Sequence, residues 1–335
     1  MKLKPIHQQV IVITGASSGI GLVTARKAAA RGARLVLTAR SQDALEQLTS
    51  ELRNQGCEAI HAAGDVANPD DMLRVADAAI ERFGGFDTWV NNAGISVYGR
   101  LDQVPLEDKR RVFDTNFWGV VHGCRAALRH LRSRGGALIN IGSTLSDRAI
   151  PLQGIYCASK HAVKGYTDAL RMELEDEGVP ISVTLIKPSS IDTPYKEHAK
   201  NYLEVEPSNP PPVYAPQAVA DAILHCASRP ERDVFIGAGG KMLAWMGNVA
   251  PRLTDRYMER VMFSQQRSGN AKDRDQHRGL YEPSGTLEER GYYEGHVAES
   301  SVYTKAKLHP IATGAIVASA AGLVLTALAT RRRIA

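Results

Sequence analysis

Cysteine is scarce: four in 335 residues, Cys57, Cys124, Cys157 and Cys226, widely spaced and never in a CxxC pair. That spacing excludes a zinc ribbon and a disulfide framework, so no metal site is expected and a reducing compartment is the simpler setting. No Asn-x-Ser/Thr acceptor occurs, in keeping with a chain that does not meet the secretory glycosylation machinery. A signal peptide is not expected either, because Lys2 and Lys4 are followed by Pro5 and the first apolar run, Val10 to Ile13, is short. Surplus charge is small. The net +5 is matched by the five cations at the chain ends, Lys2, Lys4, Arg331, Arg332 and Arg333. The body between them is balanced, which argues against a nucleic-acid partner and the basic face it requires.

Long uncharged stretches are also rare, and the one that stands out is at the far end. From Ile311 to Thr330 there is no charged residue over about the length a helix needs to cross a bilayer. A transmembrane helix over 311–330, anchoring a cytoplasmic catalytic domain, is therefore expected. Arg331 to Arg333 against Lys305 and Lys307 would place the C-terminus in the cytoplasm by the positive-inside rule, which competes with a cytoplasmic body and leaves topology open.

What is abundant is alternation. Between residues 8 and 237, short β-branched runs alternate with longer amphipathic stretches, the pattern of βα units around a parallel sheet. Strands are expected at Val10–Thr14, Arg34–Thr38, Glu58–Ala62, Thr88–Asn91, Ala137–Ile141, Ile181–Ile186 and Asp233–Ile236. Between them helices are expected, one of them running unbroken from Leu106 to Leu131. The fold class is α/β, a doubly wound Rossmann-like parallel sheet of about seven strands over residues 1–240. An amphipathic and polar extension follows over 241–310. From Pro194 to Pro216 the chain is too rich in proline for any regular element, and a loop of that length is usually functional. After Gly240, Pro251 opens a helix whose one face is lined by Leu253, Tyr257 and Val261 with Met258 and Met262. Residues 264–301 read as a loosely structured connector.

Three local patterns carry chemistry. The first strand runs into Gly15, Ala16, Ser17, Ser18, Gly19, Ile20 and Gly21 and then a helix, a turn that lets backbone approach a pyrophosphate at the helix N-terminus. The second strand ends at Ala39 and Arg40, with no carboxylate to grip ribose hydroxyls. Arginine there pairs with a 2′-phosphate, so NADP(H) is expected in preference to NAD(H). Tyr156 and Lys160, four apart, share a helix face, where a cation lowers a phenol pKa and makes it a usable acid or base. Ser143 lies just past a strand end, facing the same crevice.

The set TGASSGIG (14–21), Asp65, NNAG (91–94), Asn116, Ser143 and YCASK (156–160) closely resembles the short-chain dehydrogenase/reductase family, over roughly residues 8–240. That resemblance implies that Gly15 to Gly21 hold the pyrophosphate, that Asp65 and Val66 contact the adenine, and that Asn91 lies beside the ribose. It implies a catalytic tetrad of Asn116, Ser143, Tyr156 and Lys160, with Asn116 holding a water, and a contribution of Ile191 and Thr193 to the nicotinamide end. The chain departs from the pattern at Ser189, where the family often has glycine; its side chain is expected near the nicotinamide or the substrate.

The expected function is NADP(H)-dependent interconversion of an alcohol with a ketone or aldehyde, on a small, lipophilic substrate. Tyr98, Leu145 and Gln153 are expected to line the substrate side, together with the 194–216 loop and the methionines after Gly240. The family commonly pairs through its long helices, so a homo-oligomer is implied. A catalytically silent nucleotide-binding sensor or membrane-tethered scaffold is the alternative, and an intact Tyr156–Ser143 pair argues against it.

Overall fold

The computed structural model describes residues 1–271, 279–283, 287–311, 313, 314 and 319. Seven strands form one sheet: β1 (Val10–Thr14), β2 (Arg34–Thr38), β3 (Ala59–His61), β4 (Thr88–Asn91), β5 (Gly136–Ile141), β6 (Ile181–Pro188) and β7 (Asp233–Ile236). Their spatial order is β7-β6-β5-β4-β1-β2-β3, and every neighbouring pair is parallel. All five residues of β1 and all eight of β6 are buried, as a sheet covered on both faces requires.

The period of two along the strands sorts side chains between the two layers. Ile11, Ile13, Leu35 and Leu37 face α1 (Gly19–Ala30), α2 (Gln42–Asn54) and α7 (Pro216–Ser228), meeting Leu22, Leu48 and Ile223. Val10, Val12 and Trp89 face the other way, toward Met72 of α3 (Pro69–Phe83), Leu131 of α5 (Gly119–Arg134) and Val163 of α6 (Gly154–Asp176). The strand order reverses between β1 and β4. Beyond the carboxyl ends of these two strands lies the crevice that such a reversal opens.

The helix expected to run unbroken from Leu106 is interrupted. α4 (Leu106–Phe113) passes through a π-helical turn, Asp114–Trp118, before α5 begins. Such turns recur at functional positions because the extra residue redirects a side chain, and Asn116 sits in this one. The proline-rich loop is not structureless either. It contains a one-turn helix, Tyr195–His198, and strands of two or three residues set between prolines: Lys200–Asn201 beside Val97–Tyr98, Val205–Pro207 beside Arg267–Ala271, and Val213–Tyr214 beside Ser190–Ile191 and Val297–Ala298. Strands this short fit proline at their edges.

C-terminal to the sheet come α8 (Ala238–Val249) and α9 (Pro251–Tyr257). The face expected to pack as one unit divides: Met258 and Met262 are buried against Ile150 and Cys157, while Leu253 and Tyr257 are exposed. The described residues between 264 and 301 are tied to the body more firmly than their polarity suggests. Leu280 is fully buried, Glu289 pairs with Arg26 at 2.8 Å, and Gln266 bonds Gln153 at 2.9 Å. Polar contacts hold most of this segment, so apolar periodicity could not announce it. A further helix, α10 (Val302–Leu308), docks beside β7, where Thr304 Oγ1 donates to Phe235 O at 2.9 Å. The expected transmembrane stretch 311–330 falls almost wholly outside the described residues; among the described residues no helix is long and apolar enough to cross a membrane.

Candidate active site

The glycine turn after β1 is tight for reasons of contact. Gly15 has φ +65, and a Cβ there would lie 2.8 Å from Ala93 Cα. A Cβ at Gly21 would meet Gly15 O at 2.1 Å and Asn92 Nδ2 at 2.7 Å. Asn92 ties the turn together, its Nδ2 donating to Thr14 O at 2.9 Å and Gly15 O at 3.2 Å. α1 starts at Gly19 with no side-chain cap, so its N-terminal dipole faces the crevice, the arrangement that binds phosphate. A cavity of about 170 Å³ opens here, lined among others by Gly15, Ser17, Ser18, Gly19, Ile20, Arg40, Asp65 and Val66. A close-packed backbone without side chains at the N-terminus of α1, where Glu288 O takes the Gly19 N–H at 2.8 Å, with a cation at the far end, fits a dinucleotide phosphate. Gly21 stands behind the lining, where its bareness lets α1 pack on the turn.

At the far end Asp65 Oδ2 accepts from Arg111 Nη2 at 2.5 Å, and its Oδ1 accepts from the Ala67 N–H at 3.0 Å. Burial pushes this carboxyl up, but the Ala67 N–H and the Arg111 guanidinium outweigh it and hold the group below its ordinary value. Arg40 donates to Gly279 O at 2.6 Å and Leu280 O at 3.3 Å. Its pKa is lowered, first by burial and then by Arg111. Asn91 behaves differently from the expectation that puts it beside the ribose. Its amide accepts from Trp89 Nε1 and donates to Asn140 Oδ1, each at 2.8 Å, and it lines neither this cavity nor the one described next. Its neighbour Asn92 lines both.

A second cavity, of about 530 Å³, adjoins the first, sharing Ile20, Asn92, Gly94, Thr193 and Tyr195 with it. Ser143, Tyr156 and Lys160 lie in its wall, and Ile141, Leu145, Ile150, Met242, Leu243 and Met246 make it largely apolar. Ile191, Tyr98, Gln153 and prolines 210 to 212 line it too. Lys160 Nζ donates to Ile141 O at 2.8 Å and lies 5.7 Å from the centroid of the Tyr156 ring. Burial lowers the lysine pKa to about 8. The same burial pushes the Tyr156 phenol up to about 12, against hydrogen bonds with Tyr195 and Ser143 that favour its ionised form. The phenol expected to be drawn down by the lysine is instead raised, because burial of the ring outweighs its hydrogen bonds. Tyr156 is thus a protonated donor near neutral pH.

Ser143 caps the short helical turn Thr144–Ser146, its Oγ accepting from the Leu145 N–H at 3.0 Å. Asn116, fully buried, is held by protein groups: Oδ1 accepts from Ile95 N–H, while Nδ2 donates to Ile95 O and to Ser159 Oγ, at 2.9 to 3.1 Å. It clamps the loop after β4 to α6. Ser189 lines the second cavity, as expected, with its hydroxyl donating to Ile236 O at 2.6 Å. Sequence reasoning missed Tyr195. Its ring meets that of Tyr156 edge-on at 5.5 Å, at the junction of the two cavities. Only its place just after Thr193 and Pro194 pointed to it. All four cysteines are free, and no cluster of metal ligands occurs among the described residues.

The fold and its two joined cavities define a dinucleotide-binding α/β enzyme. The chain belongs to the short-chain dehydrogenase family, whose model, described as short chain dehydrogenase, matches residues 9–203. It is 48% identical over 336 residues to an uncharacterised oxidoreductase, YxnA, of Bacillus subtilis strain 168, covering 99% of this chain and 94% of that one. It is 38% identical to 11-beta-hydroxysteroid dehydrogenase A of Arachis hypogaea, over 55% of this chain and 53% of that protein. Among solved structures, an alcohol dehydrogenase of the archaeon Thermococcus sibiricus complexed with 5-hydroxy-NADP superposes with a TM-score of 0.60 at 28% identity, covering 68% of this chain and 95% of that one. The chain is an NAD(P)-dependent oxidoreductase.

Proposed function

We propose that this protein is an NADP(H)-dependent enzyme interconverting a lipophilic alcohol with its ketone or aldehyde, with Tyr156 as general acid and base. The observation that carries the reading is the meeting of the 530 Å³ apolar cavity with Tyr156, Ser143 and Lys160 beside the glycine-lined groove. Gly15 to Ile20 would hold the cofactor's pyrophosphate, Asp65 and Val66 its adenine, Arg40 its 2′-phosphate, Lys160 its ribose and Thr193 its nicotinamide end. Bound there, NADP(H) supplies hydride donation and acceptance.

The chain itself handles the proton. In reduction, the Tyr156 phenol gives its proton to the carbonyl oxygen as that oxygen gains charge; in oxidation, the phenolate takes it back. The Ser143 hydroxyl orients the same oxygen. The apolar wall keeps water from the reacting carbon and selects a substrate with little polar surface. The solved relative in complex with an NADP analogue and the hydroxysteroid dehydrogenase relative agree with this cofactor and substrate class.

Tyr156→Phe removes one oxygen and leaves the cavity shape. Turnover is expected to fall by about 10² to 10⁴, with cofactor binding kept within a few-fold; turnover close to wild type refutes the role. Two further proposals belong to the same reading. The protein assembles as a homo-oligomer through helices α5 and α6, and residues 311–330 attach it to a membrane.

A further inference from the structure

Most of the fold that builds the cofactor groove lies before residue 240, yet the groove has a wall that does not. Gly279 and Pro283 line the cavity that holds Arg40 and Asp65. The chain reaches this place by a buried anchor: Leu280 is fully buried against Ile95, Val97, Val104 and Val112. Beside it, Tyr281 Oη donates to Asp108 Oδ1 at 2.7 Å, and Asp108, itself buried, also pairs with Lys200 at 2.9 Å. Gly279 presses on the one-turn helix, where an added Cβ would meet His198 O at 2.5 Å. Further along, Glu288 O takes the Gly19 N–H at 2.8 Å and Glu289 pairs with Arg26. The extension therefore borders the groove at both its adenosine end and its pyrophosphate turn.

Two guanidinium groups converge on that anchored backbone. Arg40 donates through both terminal nitrogens, to Gly279 O and Leu280 O, and Arg111 Nε donates to the same Leu280 O at 3.1 Å. An unrestrained arginine loses considerable side-chain freedom when it engages a phosphate. A guanidinium already fixed by two carbonyls has met much of that loss in advance, and the wall that fixes it also excludes water from the charge. Neither Gly279 nor Leu280 offers a side chain that would touch a ligand's charge, so their effect passes through the arginines.

We propose that the segment Gly279–Tyr281 is a positioning element for cofactor selectivity, its Leu280 anchor holding Arg40 and Arg111 in place to receive the 2′-phosphate that distinguishes NADP(H) from NAD(H). This rests on the NADP(H) reading above. The segment comes from the C-terminal extension, so selectivity is set by residues about 240 positions apart in the sequence.

The test is a double-mutant cycle in the full chain, with Arg40→Ala, Leu280→Ala and their combination, reading kcat and KM for NADPH and for NADH separately. Leu280→Ala is expected to lower kcat/KM for NADPH about tenfold through KM while changing that for NADH less than about twofold. The combination is expected to be no worse than Arg40→Ala alone, because both remove one interaction. Tyr281→Phe, which removes the bond to Asp108 at a half-exposed ring, is expected to act in the same direction more weakly, and decides the matter if Leu280→Ala does not fold. Equal losses for the two cofactors, no loss in either, or losses that add to that of Arg40→Ala overturn the positioning role. If Arg40→Ala leaves the preference for NADPH unchanged, the NADP(H) reading falls and takes this role with it; an effective Arg40→Ala beside neutral Leu280→Ala and Tyr281→Phe removes the positioning role alone.

Discussion

In the proposed mechanism the residue that sets the pH dependence is Lys160. Burial lowers its pKa from 10.5 to about 8, whereas the Tyr156 phenol stays protonated until about 12. In the free enzyme, the first of the two to lose a proton as pH rises is therefore the lysine. Since kcat/KM for the cofactor reports groups of the free enzyme, that constant in the reductive direction is expected to fall above about pH 8 as the cation offered to the ribose disappears. A profile that stays flat to pH 10 refutes the assignment. Stability moves the other way over the same window. Between about 8 and 10.5 the unfolded chain binds a proton at this lysine that the folded chain does not, so this group makes the fold more stable as pH rises. The sequence pairs Lys160 with Tyr156 on one helix face, as a cation beside a phenol. It could not weigh burial, because burial depends on how far α6 sinks beneath β5, and a four-residue spacing says only that two side chains share a face.

At the scale of elements, α5 and α6 lie together on one face of the sheet and leave large apolar groups in solvent: Trp118, at the π turn that leads into α5, is 48% exposed, and Met172 of α6 is 57% exposed. Isolated exposed apolar residues need no explanation, but two on neighbouring helices are the natural centre of the proposed contact between copies. Size-exclusion chromatography with light scattering is expected to give a multiple of the 36.4 kDa chain mass, and Trp118→Glu to reduce it. A monomeric wild type, or a mass unmoved by the substitution, removes the proposal. The elements themselves were largely legible. All seven sheet strands fall where β-branched runs stand, because a parallel sheet buried on both faces writes itself as near-continuous apolar sequence. Less legible were the π turn at Asn116, which interrupts a helix whose apolar pattern continues through it, and the short strands between prolines, which lie below the length at which any periodicity shows. The described residues of 279–301 were least legible, since carbonyls, ion pairs and one leucine hold them. In the candidate site, the glycine turn, Ser143, Tyr156 and Lys160 could be placed from motif and strand end together. Tyr195 could not, because its position follows from how the loop after β6 folds back.

The whole molecule bears on the proposed attachment to a membrane. α8 and α9 wall the apolar cavity with Met242, Met246 and Tyr257, and on their outer side Trp245, Val249 and Leu253 are each more than 60% exposed. Under the proposed attachment, this apolar surface is the part of the body that suits contact with a bilayer. The body of the enzyme is complete before the uncharged run begins. Thr304 accepts the Gly237 N–H at 3.2 Å as well as donating to Phe235 O, and Leu308 packs into the core on the α7 side of the sheet. A chain ending after Pro310 therefore retains every residue assigned to the two cavities. The full chain is expected to sediment with phospholipid vesicles and the shortened chain to remain in the supernatant, with NADPH-dependent reduction of a water-soluble ketone unchanged within about twofold, a difference well under 1 kcal/mol in transition-state stabilisation. Equal partitioning of the two chains would remove the attachment and leave the chemistry untouched. Loss of reduction in the shortened chain would mean instead that the end of the chain supports the fold around β7, where α10 docks.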